Sequence, residues 1–588
     1  MADERLSLLA RFKRHHAYRV ATVYAIAAWV ILQLANSVFP DFGLPRSSVR
    51  LVIVMLLLGF PVVLTLAWWL IKPVDPDKLS HWQRRRWRLG LLLSVLVMIF
   101  AGLSGAYIWT FTAKPPLTAV DLAATTVLPA FNPPPNSIAV LPFRNLSNNP
   151  AQQYLSDGLT QELTDDLSLI AGLRVIAWQS MEGYRNTALP VGDIGKNLNV
   201  ANILTGSIMR EGEILRVSVA LVNTITGNQV WSSRYDQTFK DVFAMQDNIS
   251  KAIVEITQGK LDINTQLVAA ATSNPEAHDA YLRGKAAFAL RTEQGLNDAL
   301  KQFQRAIKLD PRYAEAYAQL ASVYGTLPEV TSMPLQEANA RAMQAVQQAL
   351  AINPDLAAAH AVLANIYISE HKLDQAKAQL LRTLVLDPNN AAAHASYGFM
   401  LPLADALGQY QQAAVLDPGN WAAQMNLGTT YVELGKNDQA LQAFQAAHKL
   451  SPDNIDAPLE IAFLYHQESR LAEAVNVLSG IKTHSKDDAR ILDASRLAYQ
   501  ALQDPKLHDQ ALATLDKLAA ANISAFNHYY LATSYVILGE NDRAIGQITK
   551  FCSSAPDTCN DIAVDNHYAA LRADPRFQTL VAKYGLKH

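Results

Sequence analysis

The sequence predicts a multidomain chain: three transmembrane α-helices, then a small α/β domain, then an all-α superhelical solenoid of helical hairpins. Three observations predict it. Three apolar runs of membrane-crossing length open the chain, strand and helix patterns alternate between residues 137 and 260, and beyond residue 270 prolines recur at a 34-residue interval (Pro354 to Pro388, Pro418 to Pro452). A chain of 588 residues also exceeds what a single core organises. Residues 1–114 hold 14 Lys/Arg against 5 Asp/Glu, leaving 36 basic against 47 acidic residues in the remainder. An acidic remainder repels phosphate backbones, so no nucleic-acid partner is expected.

The apolar runs cover 17–39, 51–71 and 89–111. Each reaches the ~20 residues a helix needs to cross ~30 Å of hydrocarbon, which makes the lipid bilayer a partner. The first is too long for the core of a cleavable signal peptide, and Gln33 and Asn36 within it read as helix-packing or interfacial positions. Arg5, Arg11, Lys13, Arg14 and Arg19 precede it, and Lys72, Lys78, Arg84, Arg85, Arg86 and Arg88 lie between the second and third runs. The first loop has only Arg46 and Arg50. The positive-inside bias therefore puts the N-terminus and the basic loop in the cytoplasm and everything after about residue 114 on the far side. Residues 115–136, with Pro115-Pro116 and Pro133-Pro134-Pro135, read as an extended spacer.

Residues 137–143 (SIAVLPF) read as a short buried strand, and Leu155, Leu159, Leu163 and Leu167 as one face of a helix over 154–170. A strand at 173–177 and a helix at 191–198 follow. Strands 203–210 and 215–223 meet at Glu211-Gly212, and Thr226-Gly227-Asn228 turns the chain into a strand at 229–235. A helix over 242–259 closes the domain. The segments SIAVLPFRNLSNNPAQQYLSDGLTQEL, LRVIAWQS and ILTGSIMREGEILRVSVALVNTITGNQVWSSRYD resemble the FlgO/TolB-amino-terminal-like domain over residues 137–260. That resemblance implies a non-catalytic module of the bacterial envelope, in a family found beside adenylate cyclases and membrane-bound regulators. It places the anchor in the bacterial inner membrane and the remainder in the periplasm.

The solenoid spans about 270–560, with a closing helix in 561–588. Trp421 to Asn454 shows its unit: Leu427-Gly428 and Tyr431 on a first helix, Gly435 at the turn, Ala440, Phe444 and Ala447 on a second, then Pro452. These residues resemble the tetratricopeptide repeat (TPR), in about eight copies. The second is stretched by an insertion at 326–334, and the fourth is four residues short because Leu401-Pro402 ends its first helix; both are expected to disturb the curvature. The resemblance implies a groove lined by the second, fifth, ninth and twelfth positions of each first helix. Here those are Ala358, Ala361, Asn365 and Ile368; Ala392, Ala395 and Phe399; Ala422, Met425, Thr429 and Val432; and Asp456, Leu459, Phe463 and His466. This small, apolar lining suits an amphipathic helix or an extended segment of a protein partner. Coverage of some positions by the array's own cap or by the α/β domain is the competing expectation.

Other chemistry-bearing residues read as structural. Glu162, Asp165 and Asp166 follow a helix start, where carboxylates favour the dipole and face water. His360 and His394 recur 34 residues apart without a Cys or carboxylate partner, so no metal site is expected. Neither a catalytic set nor a cofactor motif is present. The two cysteines, Cys552 and Cys559, fit neither a redox motif nor a zinc set, and an oxidising compartment favours a disulfide between them. The whole reads as a non-enzymatic envelope scaffold capable of self-association; a receptor-like subunit signalling through its helices to a cytoplasmic effector is the alternative.

Overall fold

The computed structural model describes residues 131–584, apart from 148, 239–240, 259–270, 522, 556–558 and 560–561. The three expected membrane spans and most of the linker lie outside the described residues. Among the described residues no helix is long and apolar enough to cross a membrane.

The α/β domain is built on a sheet of order β3-β1-β4-β5-β6, with the short β2 (Arg144–Asn145) beside β4. Strand β1 (Ser137–Val140) is buried at every position, as befits a parallel strand covered on both faces. It pairs in parallel with β3 (Arg174–Val175) and with β4 (Asn202–Glu211). β4 runs antiparallel to β5 (Ile214–Asn223) from Asn202↔Asn223 to Glu211↔Ile214. Gly212, with φ at +61°, takes the first place of that two-residue turn, where only glycine sits without strain. β6 (Gln229–Thr238) forms the far edge.

Helix α1 (Gln153–Ser168) buries Leu155, Leu159, Leu163 and Leu167 on one face of the sheet together with α4 (Val242–Gln258). On the other face, α2 (Trp178–Glu182) and α3 (Val191–Leu198) cover Ala139 and Ile203. The strand expected at 173–177 is shorter than the sequence suggests. Its extended run breaks at Ala177, whose N–H donates to the Leu416 carbonyl of the helical array, and the chain then enters α2.

The array comprises eight helical hairpins among the described residues. They are α5–α6 (Pro275–Ala289, Glu293–Leu309), α7–α8 (Ala314–Val330, Leu335–Ile352), α9–α10 (Ala357–Ser369, Leu373–Leu386) and α11–α12 (Ala391–Gly398, Leu403–Leu416). The remaining four are α13–α14 (Trp421–Glu433, Asn437–Leu450), α15–α16 (Asp456–Gln467, Leu471–Val477), α17–α18 (Lys486–Gln503, His508–Ala519) and α19–α20 (Ala525–Ile537, Asn541–Ser554). Helix α21 (Pro575–Tyr584) closes the stack. Asparagine side chains cap several first helices: Asn274, Asn390 and Asn420 accept N–H bonds from the residues just inside.

The two length defects take different forms. The insertion at 326–334 mainly lengthens a helix: α7 continues through Pro328 to Val330, and only 331–334 connect it to α8. Proline is tolerated there because it lies in the last turn, where it removes a single bond to the preceding turn. The fourth hairpin is short because α11 has eight residues and Pro402 starts the next helix. Its helices nevertheless keep register through a repeated latch. His360 Nδ1 meets Gln379 Oε1 at 2.7 Å, 19 residues on, and His394 Nδ1 meets Gln409 Oε1 at 2.7 Å, 15 residues on. The missing four residues therefore lie between the two halves of the latch.

Close approach within a hairpin depends on absent side chains. A Cβ on Gly428 would lie 2.5 Å from the Phe444 ring, and one on Gly284 would lie 2.5 Å from Phe303. Gly546, on α20, faces open space. Gly428→Ala is expected to destabilise by about 1–3 kcal/mol through overpacking, whereas Gly546→Ala stabilises by up to ~1 kcal/mol through helix propensity. Denaturant unfolding of the two variants checks the contrast.

Candidate functional site: the repeat groove

Gly284 packs on Phe303 as Gly428 packs on Phe444, which aligns Ala277 with Trp421. His278, Tyr281 and Lys285 of α5 thus take the second, fifth and ninth positions of the first hairpin. These groove positions are occupied by helix α1 of the α/β domain. Glu162 places its two carboxylate oxygens 2.8 and 2.9 Å from His278 Nε2 and accepts a 2.9 Å bond from Gln246 Nε2. Lys285 Nζ donates to Asp165 at 3.1 Å. Arg283 Nη2 donates to the Tyr154 hydroxyl at 2.7 Å, and that hydroxyl donates to Asp279. Gly158 permits the approach: a Cβ there would lie 2.7 Å from Leu282. A single apolar core runs from Ile138 and Leu163 through Leu282 and Phe303 to Tyr313.

Burial alone would raise the Glu162 carboxyl, but His278 holds it below the usual range. Its neighbours are driven the other way. Asp166 is pushed up to about 8 by burial and by the charges of Glu162 and Asp165. Burial likewise takes Glu315, the second position of the next hairpin, to about 7.

A second attachment uses the turns that end the third and fourth hairpins. Asn389 accepts the Val175 N–H at 3.0 Å and donates to the Ser168 and Leu173 carbonyls at 2.7 and 2.8 Å. Ser180 donates to Asp417 and accepts the Gly419 N–H at 2.8 Å. The array therefore holds the β3 edge of the sheet as well as α1.

At the other end the groove is filled by the last hairpins. Phe463 (6% exposed) stacks on the His567 ring at 3.8 Å between centroids, and Leu459 is 7% exposed. Tyr530 donates to Asp456 at 2.7 Å, and His466 is half-buried against Tyr499. These four positions differ from the expectation of an open lining, because the C-terminal hairpins and the segment around His567 curl into the groove. His567 sits between Glu460 and Asp565 (3.4 and 2.8 Å). Burial would lower its pKa, but the two carboxylates carry it to about 9.

What stays open is the middle. Ala358, Asn365, Ala392 and Thr429 are exposed, as is Phe399 at 50%. Ala361, Ile368, Ala395, Ala422 and Met425 are half-buried, and Val432 is buried. His360 and His394 serve the latches described above, each also within 2.9–3.1 Å of a proline carbonyl. Among the described residues no cluster of His, Cys, Asp or Glu could hold a metal ion. Cys552 and Cys559 are joined as a disulfide with Cα atoms 5.1 Å apart. Of the acidic residues expected to face water, Asp165 does so, its side chain 59% exposed beside Lys285, whereas Glu162 is turned inward; the signal for Glu162 was His278 at a groove position of a hairpin 116 residues away.

Family models agree with the repeat geometry. A model described as "Tetratricopeptide repeat" matches residues 335–397 and 432–498, and one described as "TPR repeat" matches 289–327. These segments are tetratricopeptide repeats, the unit of protein-interaction scaffolds. A curated relative from Rhizobium meliloti (strain 1021), named "Putative adenylate cyclase 3", is 32% identical over 224 residues. The match covers 37% of this chain, and the chain spans 37% of the length of that relative. Similar solved structures include pilF of Pseudomonas aeruginosa (18% identity, 47% of this chain and 98% of that one, TM-score 0.28). Another is YrrB, described as a TPR protein with an unusual peptide-binding site (22% identity, 34% and 93%, TM-score 0.23).

Two outcomes follow for the α1–α5 seam. His278→Ala leaves the buried Glu162 carboxyl without its histidine hydrogen-bond partner, a loss that costs about 1–3 kcal/mol, and more for a charged group. Hydrogen exchange should therefore rise in α1 and α5 and stay unchanged in α17–α20. The raised carboxyls act in the opposite sense to Glu162. A carboxyl whose folded pKa is raised contributes stability at acid pH that is lost as pH rises through it. Asp166 and Glu315 thus weaken the seam between about pH 4 and 8, while Glu162 weakens it only as pH falls below the usual carboxylate range. Asp166→Asn should flatten the fall in urea midpoint between pH 5 and 8 and raise the midpoint at pH 8.

Proposed function

We propose that the protein is a non-enzymatic scaffold anchored in the bacterial inner membrane, which holds a segment of a partner protein in the groove of its third to fifth hairpins. The observation that carries this reading is the selective coverage of the groove. The chain's own α1 fills the first hairpin and its own C-terminus fills the sixth, while Ala358, Asn365, Ala392, Phe399 and Thr429 between them are exposed. Small side chains at Ala358, Ala392 and Ala422 leave room for a backbone, and Phe399 and Met425 offer apolar contacts spaced for alternate side chains of an extended segment or one face of a helix. The cyclase name belongs to a relative that this chain spans only in part.

The apolar runs of residues 17–111 and the basic segments around them support an anchor that leaves the α/β domain and the array in the periplasm. The Cys552–Cys559 pairing accords with that compartment. In a chain purified without reductant, both cysteines should resist thiol labelling, and their replacement by serine should lower stability by ~2–3 kcal/mol. Labelling of both in the unreduced native chain would remove the oxidising-compartment reading.

The groove itself is tested in intact membranes with a photocrosslinking residue at Phe399 of the full-length chain. A single dominant adduct is expected, competed away when Ala392→Glu and Met425→Glu are added. The same probe at Phe463 should give none. Equal adducts at both positions, or an adduct indifferent to the two charges, would contradict the reading.

A further inference from the structure

We propose that β6 is a dimerisation edge, on which β6 of a second copy of this chain pairs antiparallel about a two-fold axis at Tyr235. The sheet has two edges, and the array closes one of them: Asn389 and Leu416 take the backbone hydrogen bonds offered beside β3. The other is β6, outermost in the strand order. Among the described residues no strand lies beyond it.

Natural edges of this kind are usually blunted by brevity, proline, a bulge or an inward charge. β6 is ten residues long and has no proline, and its register shift falls at its start, opposite Leu221 and Val222. Its charges point outward. Ser232, Arg234, Asp236 and Thr238 are exposed, alternating with partly buried Trp231, Ser233, Tyr235 and Gln237. A bare strand of this length is a template for another strand, with affinity from the main chain and choice of partner from the side chains.

The side chains choose a second copy in one register. With Tyr235 on the axis, Arg234 stands opposite Asp236 of the second copy and Asp236 opposite its Arg234, while Ser232 faces Thr238 in both directions. Side-chain faces are preserved only by shifts that move the axis a whole residue, because strand periodicity is two. The nearest such shifts set Arg234 against Arg234, or Asp236 against Asp236, and like charges directly opposite are destabilising. Within one copy, Asp236 already pairs with Arg216 and lies 3.3 Å from Arg234 Nε. Pairing would extend that row of alternating charge across four strands. The interface is isologous and closes on itself, so it yields a dimer rather than a filament.

The test uses the full-length chain with two affinity tags. Directly opposed Cβ atoms lie ~4.5–5.5 Å apart, within disulfide reach. Ser232→Cys in one tagged copy and Thr238→Cys in the other should give an oxidised dimer carrying both tags when co-expressed, and no dimer when either variant is expressed alone. Arg234→Asp in both copies should abolish the crosslink, and Arg234→Asp with Asp236→Arg and Arg216→Asp, which keeps opposite charges facing each other between β5 and β6, should restore it. The restored pair also shows that loss in the single variant is not a folding failure. Absence of the mixed dimer, self-linkage of Ser232→Cys, or a crosslink indifferent to Arg234→Asp would each overturn the proposal.

Discussion

The Glu162–His278 contact fixes much of the rest of the described structure. It joins a helix of the α/β domain to the first helix of the array, with the histidine side chain wholly buried and the glutamate nearly so. A pair so placed brings little net stability by itself, because desolvation offsets the attraction. Its consequence is specificity. Once the carboxylate is buried, only the arrangement that supplies His278 and Gln246 satisfies it, and that arrangement sets α1 across the groove face of α5. The apolar contacts around Gly158 and Leu282 then supply the adhesion, in one core shared by both parts.

From that seam the division of the groove follows. With α1 seated in the first hairpin, β3 is carried to the turns that close the third and fourth hairpins, where Asn389 and Ser180 complete the attachment. At the far end, His567 performs a similar office between Glu460 and Asp565. Each end of the groove is thus occupied by a segment of the same chain held by a buried charge cluster. The middle, lined by alanine, Phe399, Met425 and Thr429, carries no such cluster. The repeats are kept in register there by the histidine–glutamine latches and by glycine-to-phenylalanine contacts, neither of which projects into the groove.

Much of this was legible in the sequence, for physical reasons that differ by element. Hairpin boundaries follow from interactions within 34 residues, so Gly428, Phe444 and Pro452 announce them directly. The α/β strands were legible because alternation and the Gly212 turn are local signals. The short α2 was not, since it has no side-chain cap and its start depends on the distant Leu416 carbonyl. The end of α7 is not marked by Pro328, because the last turn of a helix tolerates proline. The covered groove was hidden for a deeper reason: Glu162 and His278 are 116 residues apart, Val175 and Asn389 214, and no periodicity connects them. His278 at the second groove position of its hairpin, where later repeats place Ala358, Ala392 and Ala422, is the signal that was present.

Hydroxyl-radical footprinting of the full-length chain tests the division of the groove most directly, because it reads side-chain exposure along the whole array in one experiment. The account predicts rapid oxidation of Phe399 and Met425, with Tyr281, Leu459 and Phe463 protected to the level of core residues such as Phe303 and Phe444. Oxidation of Tyr281 and Phe463 at the rate of Phe399 would show that the groove is open throughout and that the chain does not occupy its own ends.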